Sequence, residues 1–215
     1  MNRFTRLEAV AAPILIENID TDVIIRIERL VGNGIRGTLA PWCFGALRYR
    51  ADGSEDPDFI LNRPPYREAR IILGGRNFGC GSSREGAVWS LQERGVTCVI
   101  APSFGDIFFN NCFQNGILPV VLDEKIVANL AREVEESQGA GKVAVDLEER
   151  CVVSPSGRRF PFAVEARRRE ALLQGLDEIG TTLRQADAIA RFQERDRRVR
   201  PWVYAAAGDA AGDRG

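Results

Sequence analysis

Ser82, Ser83, Arg84 and Glu85 follow the glycine-rich stretch Asn77-Phe78-Gly79-Cys80-Gly81, between an apolar run and a helical pattern. Residues of these types at this spacing can hold an anion. Gly79 and Gly81 let the backbone come close to a bound group. Free N–H groups at a helix start attract a carboxylate or phosphate, and Arg84 adds a fixed cation with bidentate reach. A serine hydroxyl in that positive field ionises more easily than a free one. The same residues also have a purely structural reading. Ser82 and Glu85 carry the spacing of a capping box, in which the serine accepts an N–H three residues on and the glutamate reaches back. The stretch matches neither GxGxxG, nor a phosphate-binding P-loop, nor the GxSxG elbow of hydrolases. Spacing alone leaves both the cap and the anion-binding turn open.

Two further segments carry polar side chains where apolar runs end. In Glu17 to Ile25, Asp20 and Asp22 flank Thr21; they read either as an Asx-type turn or helix cap, or as a carboxylate pair that positions a charged partner. In Pro102 to Pro119, Ser103 and Asp106 look like cap chemistry, and Phe104, Phe108, Phe109 and Phe113 look like core packing. Asn110, Asn111 and Asn115 are dense for a buried-looking helix, and Cys112 reads as a small buried hydrophobe. The basic runs 166–170 and 195–200 read as solvated helix faces.

Composition narrows the chemistry. The 215 residues contain no histidine, which removes Ser-His and Cys-His catalysis and imidazole-ligated zinc. Cys43, Cys80, Cys98, Cys112 and Cys151 are odd in number and never paired as CxxC, so a disulfide framework is not expected. The formal charge of -1 supplies no basic field for nucleic acid. No apolar run approaches the roughly 20 residues of a membrane helix. The N-terminus does not read as a secretory signal, so the cytoplasm is the expected compartment.

The elements that must position these residues follow from apolar runs and helical periodicity. Strands are predicted at 12–17, 69–75, 96–101 and 117–122, and a later β-meander at 142–147, 150–154 and 158–164, with Pro155-Ser156-Gly157 as a turn. Helices are predicted over 83–94, 104–115, 123–137, 163–175 and 182–194. Strand and helix alternate between residues 69 and 122, which implies a parallel βαβ unit in an α/β fold. Residues 31–66 have weak periodicity and many Gly and Pro residues, as functional or flexible segments do. The tail 205–215 reads as disordered. There is no internal repeat.

Taken together, Asn18 to Ile25, Asp58 to Asn62, Asn77 to Glu85, Val99 to Val120, Gly175 to Leu183 and Asp187 to Phe192 resemble, in order, the small subunits of 3-isopropylmalate dehydratase in the aconitase superfamily. The resemblance implies a swivelling β/β/α domain, like the mobile fourth domain of aconitase, over residues 1–204, with 31–66 as a flexible substrate-loop region. It implies a hydro-lyase active only with a large subunit, as a heterodimer or heterotetramer, exchanging the hydroxyl position between 2-isopropylmalate and 3-isopropylmalate in leucine synthesis. The [4Fe-4S] cluster belongs to that large subunit; this chain is expected to hold no metal or cofactor, to meet a small diacid, and to bind neither nucleic acid nor membrane. Ser82 becomes the base that takes the carbon-bound proton. Ser83, Arg84, Asp22 and Gly81 become substrate-binding residues, and Val31, Gly32, Gly34 and Ile35 a specificity loop.

Two departures qualify the resemblance. The family generally has histidine where this chain has Gly86, and proline where it has Arg26. Either departure fits a paralogue acting on a related diacid such as citramalate/mesaconate or a dimethylmalate, and Gly86 is also the best support for a non-catalytic partner-binding module. A stand-alone serine hydrolase is disfavoured by the missing histidine.

Overall fold

A computed structural model describes residues 1–32, 35–82 and 84–205; the expectations for Gly34, Ser83 and the tail from residue 206 onward lie outside the described residues. By their internal contacts the described residues form two compact units, within 1–175 and within 176–205.

The first unit opens with β1 (Arg6–Ala9) and β2 (Ala11–Ile14), which enter different sheets although only Val10 separates them. A short helix α1 (Thr21–Ile24) follows, then 3-10 turns at Ile27–Arg29 and Ala40–Trp42, α2 (Gly45–Arg48), and further 3-10 turns at Ile60–Asn62 and Tyr66–Glu68. The regular core is β3 (Ile71–Gly74), α3 (Glu85–Glu93), β4 (Cys98–Ala101), α4 (Asp106–Gln114), β5 (Leu118–Val121) and α5 (Glu124–Glu136). Strands β6 (Val143–Asp146), β7 (Cys151–Val153) and β8 (Arg159–Pro161), then α6 (Ala166–Gln174), complete the unit.

One sheet is parallel, in the order β2-β3-β4-β5, and the other is antiparallel, in the order β1-β6-β7-β8. Every residue of β3 and β4 is buried, as continuous apolar runs in a parallel sheet require. The right-handed crossover rule carries α3 and α4 along one side of this sheet, where they contact each other. Helix α5 buries Val127, Leu130, Ala131 and Val134 against β2, β3 and β4. Its start is fixed by the Asp123 carboxylate, which accepts the Lys125 N–H at 2.9 Å. The predicted meander is present as β6-β7-β8, with its turn at Pro155 to Gly157.

Between β2 and β3 the chain has only short elements, held by buried polar groups. The Asn62 amide donates to the carbonyls of Arg48 (2.7 Å) and Asp56 (2.8 Å) and accepts from Arg48 Nε at 3.0 Å. The second unit holds α7 (Glu178–Leu183), α8 (Ala186–Val199) and α9 (Trp202–Ala205). The single helix predicted for 182–194 is therefore two. Asp177 caps α7 by accepting the Gly180 N–H, while the Thr181 and Thr182 hydroxyls bond back to carbonyls four residues earlier instead of starting a helix. Among the described residues, no helix is long and apolar enough to cross a membrane.

Candidate functional site

The turns that leave the carboxyl ends of β2, β3 and β4 meet at one place, the edge where parallel α/β sheets bind ligands. Pairing resumes beyond the strands, with parallel bridges Asp20 to Cys80 and Phe78 to Phe104. On one flank the N–H groups of Gly79 and Cys80 donate to the Ile19 carbonyl (2.7 and 3.1 Å), and the Thr21 N–H donates to the Cys80 carbonyl (3.0 Å). On the other, the Phe78 N–H donates to the Ser103 carbonyl (3.0 Å), and the Gly105 N–H to the Phe78 carbonyl (2.9 Å). The turn 77–81 is thus the middle of three clamped segments.

Residue types at the clamp follow from its geometry. Asn18 and Asn77 both adopt left-handed backbone, φ 54° and 57°, which asparagine tolerates, and the Asn77 side-chain amide donates to Asn18 Oδ1 at 2.9 Å. Sequence reasoning missed both as site residues; asparagine at the head of a glycine-rich turn was the available signal. Gly79 has φ +72°, and a Cβ there would stand 2.2 Å from the ring of buried Phe108. At Gly81, φ +85°, a Cβ would come within 3.0 Å of Asp20.

Several expected caps prove different. Helix α3 starts at Glu85 with Arg84 as its N-cap, and Arg84 contributes no side-chain cap. The predicted capping box is absent because Glu85 Oε1 instead accepts the side-chain amide of Asn115 at 2.9 Å. The Ser82 hydroxyl is left exposed, with no hydrogen bond among the described residues. Ser103 is not a cap either: its hydroxyl accepts the Asn77 N–H at 2.8 Å, and Gly105 is the N-cap of α4. Asp20 does cap, taking the Val23 N–H at 2.9 Å to start α1. The two aspartates therefore separate, since Asp22 forms an ion pair with the Arg84 guanidinium.

Exposed Ser82 lies two residues before Arg84, whose guanidinium pairs with a carboxylate from a different turn. Arg84 is 21% exposed and Asp22 48%, so a small acid can reach the pair from solvent. Beneath them the Thr21 hydroxyl is fully buried and has no hydrogen-bond partner among the described residues. Gly86, the second residue of α3, is buried under Leu30; a Cβ there would meet the Leu30 methyl carbons at 2.5 and 2.6 Å. Of the predicted loop residues, Val31 is 75% exposed, Gly32 has φ +115°, and Ile35 is partly buried against the core.

No metal-ligating cluster of Cys, Asp or Glu occurs among the described residues. Burial pushes the Cys43 thiol up to about 11 and raises the thiols of Cys98 and Cys112 as well, which keeps all three protonated and unavailable as thiolate ligands. What the site offers is a hydroxyl, a guanidinium and a carboxylate on an open face, suited to binding a carboxylic acid and moving a proton.

The chain is similar to several known proteins. A family profile described as "Aconitase C-terminal domain" matches residues 1–125, and one described as "LeuD_N" matches 128–166. The profile of the C-terminal domain of 3-isopropylmalate dehydratase small subunits matches 178–206. A 3-isopropylmalate dehydratase small subunit from Paracoccus denitrificans is 47% identical over 94% of this chain and 100% of its own length. One from Rhodospirillum centenum is 49% identical over 94% of this chain and 99% of its own. A crystal structure of a 3-isopropylmalate dehydratase chain from Methanocaldococcus jannaschii superposes with TM-score 0.64 at 25% identity, covering 86% of this chain and 99% of the other.

Proposed function

Since the chain belongs to the family of 3-isopropylmalate dehydratase small subunits, we propose that it works with a large subunit as a cytoplasmic hydro-lyase of leucine biosynthesis. The reaction is the interconversion of 2-isopropylmalate and 3-isopropylmalate by dehydration and rehydration. The observation that carries this reading is the Arg84–Asp22 ion pair two residues after an exposed Ser82, directly following a clamped turn. The relatives from Paracoccus and Rhodospirillum bear the isopropylmalate name at nearly half identity, which favours this substrate over a related diacid despite Gly86 and Arg26.

Ser82, ionised to the alkoxide in the positive field of the turn, takes the carbon-bound proton of the malate to become the neutral hydroxyl and returns it in the reverse direction. Arg84 holds a substrate carboxylate as a two-pronged donor, with Asp22 orienting its guanidinium at the site; Ser83 is assigned to the same carboxylate. Gly81, lacking a side chain, leaves the approach to Ser82 open. The amino end of α3 favours the negative charge that develops as the proton leaves. Val31, Gly32, Gly34 and Ile35 are assigned to the isopropyl group.

The [4Fe-4S] cluster of the enzyme is assigned to the large subunit, as the resemblance to the family implies. When bound, such a cluster supplies a Lewis acid for the substrate hydroxyl. An open site whose base faces solvent is consistent with a second wall contributed by a partner. To test the reading, the purified chain is mixed anaerobically with cluster-loaded large subunit, and the unsaturated diacid is followed by absorbance. Ser82→Ala should lower kcat by at least about 100-fold; turnover at the wild-type rate sinks the assignment of the base.

A further inference from the structure

Helix α3 ends on a carboxylate that its own dipole disfavours. Glu93 lies in the last turn, where the partial charge is negative, yet it is matched by donors from a segment far away in the chain. Its Oε1 accepts the Gly37 N–H at 2.7 Å and its Oε2 the Leu39 N–H at 2.6 Å. The receiving backbone is preshaped for this. Residues Ile35 to Thr38 form a turn closed by the Thr38 N–H to the Ile35 carbonyl (3.2 Å), with Gly37 at φ +90°, the position that calls for glycine.

Arg36, inside the same turn, reaches back over α3. Its guanidinium lies 4.1 Å from the centre of the Trp89 ring, and donates to Gln92 Oε1 (3.2 Å) and Asn115 Oδ1 (3.1 Å). Asn115 in turn donates to Glu85, the first residue of α3. At the near end of the segment, Leu30 packs into the space that Gly86 leaves empty. Leu30 on one side and residues 35–39 on the other are thus tied to the helix that begins at Glu85.

We propose that Glu93 and Arg36 are positioning residues that lock the segment bearing Val31 and Ile35 to α3, so that recognition of the substrate alkyl group and removal of its proton are referred to one rigid helix. The proposal rests on the functional reading above. A side chain at Gly86 would force the Leu30 side chain to move.

The test uses the reconstituted two-subunit enzyme with Glu93→Gln and Arg36→Met, assayed on 3-isopropylmalate and on a malate carrying methyl in place of isopropyl. Neither variant touches Ser82, Arg84 or Asp22. KM for 3-isopropylmalate should rise about tenfold with kcat within about twofold of wild type, and preference for the larger side chain should fall accordingly. In the free small subunit, hydrogen exchange at the Gly37 and Leu39 amides should accelerate about tenfold in Glu93→Gln. Faster exchange with unchanged KM and unchanged preference overturns the coupling, and unchanged exchange overturns the latch itself. Equal falls in kcat for both substrates at constant KM also overturn it. If the wild-type pair turns over neither malate, the functional reading falls, and the exchange measurement still decides the latch.

Discussion

Replacing Gly79 by alanine tests whether the clamped turn is shaped by sterics alone. Two costs combine. Backbone at φ +72° suits glycine, and a Cβ there costs about 1–2 kcal/mol. The new methyl would also stand 2.2 to 2.6 Å from three ring carbons of Phe108, which is buried and packed edge-on against Phe78. Displacing such a ring costs about 1–3 kcal/mol, for a total of about 2–5 kcal/mol. In a chain of this size that is a fall in Tm of about 5–15 °C, measured by circular dichroism. Gly157 supplies an internal reference, because it has φ +85° with open space around it; Gly157→Ala should show the backbone cost alone. In a Phe108→Ala background, which removes the three carbons the new methyl would strike, Gly79→Ala should fall to the Gly157→Ala value, giving a coupling of about 1–3 kcal/mol. Strict additivity of Gly79→Ala with Phe108→Ala, or a Gly79→Ala cost no larger than that of Gly157→Ala, refutes the steric argument.

Three other outcomes can be checked with the same preparations. Asp22→Asn removes a solvent-reachable ion pair, so stability should change by less than about 1 kcal/mol, while kcat/KM of the two-subunit enzyme falls about tenfold or more; a drop in Tm beyond about 10 °C makes Asp22 structural. Thr21→Val replaces a buried hydroxyl that lacks a protein partner by an apolar group of the same shape, and should raise Tm by a few degrees, about 1 kcal/mol; a fall shows that the hydroxyl is bonded in solution. At Glu133, burial pushes the pKa up, but the Arg158 guanidinium, the Ser154 and Ser156 hydroxyls and the Ser156 N–H outweigh it, and the carboxyl falls from 4.5 to about 2. Its folded-state pKa is the lower one, so its contribution is complete above pH 4.5 and is lost as pH falls toward 2; Glu133→Gln should flatten acid unfolding in that window, and an unchanged acid limb contradicts the assignment.

Elements announced by local pattern were legible in the sequence. The apolar runs of β3, β4 and β5, and the spacing of Val127, Leu130 and Val134 in α5, survive into the structure because burial on both faces of a parallel sheet leaves little choice. Strand β1 was hidden, since Arg6–Ala9 buries only Leu7 and Ala9 and offers a period of two over four residues. Ser82 and Glu85 had capping-box spacing, but the backbone is still extended at Arg84, φ -116° and ψ 120°, so the helix starts too late for the box to close. Asp20 and Asp22 looked equivalent; only the arrival of Arg84 from another turn separates a cap from an ion-pair partner. The ties from Glu93 to Gly37 and Leu39 span more than 50 positions and had no local signature.

The single residue between β1 and β2 also bears on the order in which the molecule can be made. Val10 accepts the amides of Arg70 and Ile71 through its carbonyl, which anchors β2 beside β3, whereas β1 pairs with β6 in a register of Arg6 with Asp146. On a translating ribosome every strand of the parallel sheet is available once Val121 has emerged, but the neighbour of β1 arrives only with Val143 to Asp146. At about 10 residues per second this interval lasts about 2 seconds, during which Leu7 and Ala9 wait uncovered. The chain's first strand therefore waits longest for its partner, and the nascent N-terminus is the segment that most depends on protection from the wrong neighbour.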